Sequence, residues 1–70
     1  MERRLAEKVI EAAMSSGEKL DKLALLAAEM TNETERNRFR KSIGEIMGSI
    51  YSDIMMPVIA QYPDLDPDRD

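Results

Sequence analysis

Two stretches of helical apolar periodicity, nearly equal in length and parted by one capping signal, constrain this chain more than any other feature. From Leu5 to Met30 the small and apolar residues fall at Leu5, Val9, Ala12, Ser16, Leu20, Leu23, Ala27 and Met30, in steps of three and four that form one stripe on a helix. Glu7, Glu11, Glu18, Lys22 and Glu29 lie opposite it, with Glu18 and Lys22 in the favourable i, i+4 order. Asn32 followed by Glu35 then reads as a capping box, and Glu33 and Glu35 place negative charge at the positive end of the next helix dipole. Beyond it Phe39, Ile43, Ile46, Met47, Ile50 and Ile54 make a second stripe, and Tyr62-Pro63 ends it.

The expected fold is therefore all-α: an antiparallel helical hairpin over residues 1–62, with helix 1 over about 2–30, a turn at about 31–32 and helix 2 over about 33–62. Each helix would run close to 28 residues, or ~42 Å. Ser15 with Glu18 three residues later is a second capping box, so the competing fold is a three-helix monomer broken near Ser15-Gly17. The stripe keeps its phase across that junction, which favours one long helix. Residues 63–70 hold two prolines, four aspartates and one arginine, and read as a disordered acidic tail. Asp64, Asp66 and Asp68 alternate like the start of a calcium loop, but the loop glycine and terminal glutamate are missing.

Composition enters through what it removes. The 70 residues include no Cys and no His, which excludes the usual zinc sites, an imidazole-activated nucleophile and a thiol redox couple. No catalytic residue, cofactor or metal is expected, and the chain is read as non-enzymatic. Two Tyr and one Phe are too few for a base-stacking platform. The longest uninterrupted apolar run, Ile54 to Ala60, falls far short of the ~20 residues that span a bilayer, and the N-terminus has no hydrophobic signal core. A soluble cytoplasmic protein without membrane contact is expected.

A chain below roughly 80 residues seldom builds a core worth more than about 3–5 kcal/mol unaided. Yet helix 2 carries costly residues: Gly44 and Gly48 at about 1 kcal/mol each and Pro57 at about 3. Pairing of two hairpins in a four-helix bundle would offset this, so a homodimer is the expected partner state, with an unidentified protein partner as an extension. Phe39, Ile43, Ile46, Met47, Ile50, Ile54, Met55, Val58 and Ile59 are the expected interface. Gly44, Gly48 and Ser52 recur every fourth residue as a close-packing strip, either against helix 1 or between subunits. Pro57 is expected to kink the helix where the Asp53 carbonyl loses its donor.

The only basic cluster is Arg36, Arg38, Arg40 and Lys41. At 100° per residue these cations do not share one ridge, and they are read first as a face neutralised by nearby carboxylates. A nucleic-acid-binding regulator using them is the second functional class, weakened by the chain's net charge of -4. In topology alone, an acidic helical hairpin of this size resembles the plasmid repressor-of-primer family, whose hairpins dimerise and bind RNA. The resemblance implies a dimeric bundle and carries no residue motif.

Overall fold

The computed structural model describes residues 1–68, and among these the chain is all-helical, without strand. Helix α1 runs Arg3–Ala27. A turn over 28–32 leads into α2, Glu33–Ser49, which continues without a break through a π turn, Ile50–Met55, into α3, Met56–Gln61. The last three form one 29-residue second arm folded back on the first as a helical hairpin.

The first arm crosses Ser15-Ser16-Gly17 as regular α-helix. Ser16 turns its hydroxyl inward on its own helix, donating to the Ala12 carbonyl at 2.9 Å, so it bonds backward and starts nothing new. The arm ends at Ala27, three residues before the expected boundary. No described residue adopts a left-handed cap; instead the ladder tightens, with the Glu29 N–H on Leu26 O and the Met30 N–H on Ala27 O. Asn32 caps α2 as its sequence position requires, its side-chain oxygen accepting the Glu35 N–H at 2.9 Å. Arg36 donates to the Met30 carbonyl at 3.2 Å and so closes the turn.

The face that α1 turns to the second arm is only partly the expected stripe, with Leu20 and Ala27 common to both. Ala6, Ile10, Ala13 and Ala27 are buried, with Gly17, Leu20 and Ala24 half-buried between them. This line is rotated by roughly 75° from the line through Leu5, Val9, Ala12, Ser16 and Leu23, taking 100° per residue. Small residues dominate it because they let two helix backbones approach closely, whereas Leu5 and Leu23 stay about half exposed.

On the second arm the π turn decides which residues face inward. A regular helix would lose a hydrogen bond at Pro57, since the Asp53 carbonyl expects a donor that proline lacks. The wide turn shifts the ladder by one residue just before it, ending with the Met56 N–H on Tyr51 O. The inward line of Ile43, Met47 and Ile50 would have continued to Ile54 and Pro57; with one residue inserted it continues to Met55 and Val58. Ala6, Ile10, Ala13, Met55 and Val58 form the core, flanked by Val9, Ile50, Ile59, Tyr62 and Leu65.

The first residues of the tail are placed, contrary to the expectation of disorder from residue 63. Pro63–Leu65 make a 3-10 turn and Leu65 packs against the core. Met1 and Arg3 are tied there to the end of the second arm and the 3-10 turn. The Met1 ammonium donates to Gln61 Oε1 at 2.9 Å, the Tyr62 hydroxyl donates to Met1 O at 2.7 Å, and Arg3 forms a two-pronged pair with Asp64. Arg3 also pairs with Glu7 and lies over the Tyr62 ring; its hydrogen bonds to Asp64 hold its guanidinium even more firmly protonated than usual. Arg69 and Asp70 lie outside the described residues.

Candidate interaction surface

A single hairpin cannot cover all of its apolar residues. Phe39, Ile46, Ile54, Leu5 and Leu23 remain about half exposed. Ile46 and Ile54 among them lie together. Val9, Ala12, Ala13 and Ser16 of the first arm line one depression of about 250 Å³ together with Ile50 and Ile54 of the second. Ile50 and Ile54 also line an adjoining depression of about 420 Å³ with Ile46, Ser49, Glu45 and Asp53. The two make one continuous apolar face spanning both arms, built from the α1 stripe that the hairpin leaves unpaired and from Ile46, Ile50 and Ile54.

The expected interface residues divide accordingly. Ile43, Met55 and Val58 are consumed by the hairpin's own core, and Met47, Ile50 and Ile59 are half-buried at its edge. Phe39, Ile46 and Ile54 are left exposed. Ile54 owes its exposure to the π turn, which a straight-helix reading could not supply. The α1 contribution, Val9, Ala12 and Ser16, belongs to the first stripe of the sequence, whereas the expected interface names only residues of the second arm.

The glycine strip lies elsewhere. A Cβ built at Gly44 or Gly48 would meet nothing within 4 Å, and Ser52 is exposed. These residues do not relieve crowding against the first arm, which corrects that reading. By helical phase they face away from both α1 and the apolar depressions. The basic cluster is also dispersed: Arg36 is half-buried on the turn, while Arg38, Arg40 and Lys41 are exposed on different sides of α2.

The second arm is long and apolar enough to cross a membrane by length and composition, with an 18-residue stretch of mean hydropathy 1.2, 17% of it buried. The expectation from uninterrupted runs missed this, because glycines and serines break a run without making it strongly polar. Glu45 and Asp53 sit in that apolar half, and an acidic side chain such as Asp near a bilayer centre costs about 2.5–3.5 kcal/mol. Among the described residues no group of three or more Asp or Glu could hold a metal ion, and no buried side-chain nitrogen or oxygen lacks a partner.

No protein-family model matches this chain, and no curated protein or solved structure matches it either.

Proposed function

We propose that this chain is a non-catalytic interaction module that works as a homodimer, two hairpins joined through the apolar face into a four-helix bundle. One observation carries the reading. The hairpin exposes 5324 Å², whereas a compact monomer of 8.0 kDa would expose about 4,450 Å². The excess of about 900 Å² matches the roughly 800 Å² that each partner contributes to a standard stable interface. Part of the exposed surface is the apolar face of Ile46, Ile50 and Ile54 with Val9 and Ala12, where leaving apolar area wet forfeits about 25 cal/mol per Å².

Sedimentation equilibrium at micromolar concentration tests it. The expected species is about 16 kDa, twice the 8.0 kDa of one chain, with unfolding that shifts to higher temperature as protein concentration rises. An 8.0 kDa species whose melting is independent of concentration refutes the dimer. Co-sedimentation of that monomer with phospholipid vesicles would reassign the apolar face to a membrane. RNA or DNA binding that falls steeply with salt and is lost on replacing Arg38, Arg40 and Lys41 would replace the reading with the nucleic-acid one.

A further inference from the structure

Charge along the two edges of the apolar face says how a second copy must sit on it. On the first arm the face runs through Val9, Ala12 and Ser16. The next charged residues further round the helix, away from the second arm, are Lys8 and Lys19. They are exposed and eleven residues apart, which is close to three full turns, so they share one edge. On the second arm the corresponding edge is acidic: Glu45 and Asp53 line the depression beside Ile46, Ile50 and Ile54. Level with these four charges the face is therefore apolar in the middle, positive along one long edge and negative along the other; Arg38, two turns before Glu45 on the same side of α2, lies beyond them toward the bend.

The heights of these charges match. Val9 and Ile54 line the same depression, and Lys8 and Asp53 immediately precede them in the chain. Ser16 and Ile50 share that depression too; Lys19 and Glu45 lie about one turn further toward the hairpin bend on their respective arms.

With all four helices aligned along the bundle, two hairpins can stack face to face about a two-fold axis in two ways. With the axis across the helices, each arm covers its own counterpart in reverse, and Lys8 falls over the partner's Lys19. With the axis parallel to the helices, heights are kept and the arms exchange, so the basic edge of each copy covers the acidic edge of the other. Resting on the homodimer reading above, we propose the second arrangement: α1 of one copy crosses the second arm of the other, with Lys19 facing Glu45 of the partner subunit and Lys8 facing Asp53 of the partner subunit. Like charges oppose the first arrangement and favour the second.

The test is a charge-exchange cycle read by sedimentation equilibrium, with circular dichroism confirming helix content. Lys8→Glu with Lys19→Glu, and separately Glu45→Lys with Asp53→Lys, each set like charges across the parallel-axis interface. Each pair should raise the dissociation constant at least about tenfold. The four substitutions together should return it to within about threefold of the parent, and mixing the two pair variants should restore a dimer. For the parent, raising salt should weaken the dimer. Pair variants that dimerise as well as the parent overturn this arrangement while leaving the homodimer intact. So does a fourfold variant that fails to recover although its helix content is unchanged, or a parent dimer that salt does not weaken. A parent that remains monomeric overturns both readings.

Discussion

Replacing Gly44 and Gly48 together with Ala tests where the second arm keeps its contacts. Both glycines sit inside α2 with ordinary helical backbone, neither having a positive φ. A Cβ at either would meet nothing within 4 Å, so the substitution adds no clash and fills no cavity. What remains is intrinsic propensity, about 1 kcal/mol per site in a helix interior, or about 2 kcal/mol for the pair. For a domain of this length that corresponds to a melting temperature higher by about 8–16 °C at fixed protein concentration. In urea, with a slope near 1 kcal/mol/M, the midpoint should rise by about 2 M. The dissociation constant of the dimer should not change, because the glycines lie away from the apolar face. Lower stability, or a weaker dimer at unchanged monomer helicity, would show that another backbone packs on the strip and would refute the assignment of the interface to the opposite side.

Three further substitutions and one truncation follow from the fold. Met55→Asp should unfold the hairpin, because it places a carboxylate in the core, whereas Ile54→Asp should keep the monomer's circular dichroism and abolish dimerisation; the reverse outcome would mean that the π turn does not form. Asn32→Ala should cost about 1 kcal/mol by urea denaturation through loss of the bond to the Glu35 N–H, and a change within error would show that the turn is held by Arg36 alone. Truncation after Tyr62 should lower stability by about 1 kcal/mol through the lost packing of Leu65, and an unchanged melting temperature would show the 3-10 turn to be incidental.

Local signals in the sequence determined the helices and the bend between them. Asn32 with Glu35 fixes the start of the second arm because a cap needs only a side chain and an amide three residues away. The apolar period alone argued for continuity at Ser15-Gly17, and the chain follows it. An apolar stripe says only that a face will be covered, not by what. On the first arm two stripes compete, one rich in alanine and one in larger side chains, and the choice between them depends on how closely a second backbone can approach. That is a property of the pair, so Ala6, Ala13 and Ala24 line the hairpin contact while Leu5 and Ala12 face outward. On the second arm Pro57 announced a lost hydrogen bond, but several distortions could absorb it. Packing decided among them: the inserted residue brings Val58 inward where Pro57 would have stood and turns Ile54 out. A change of one residue in helical register rotates everything after it by about 100°, and only contact with the first arm can say which rotation buries more apolar surface.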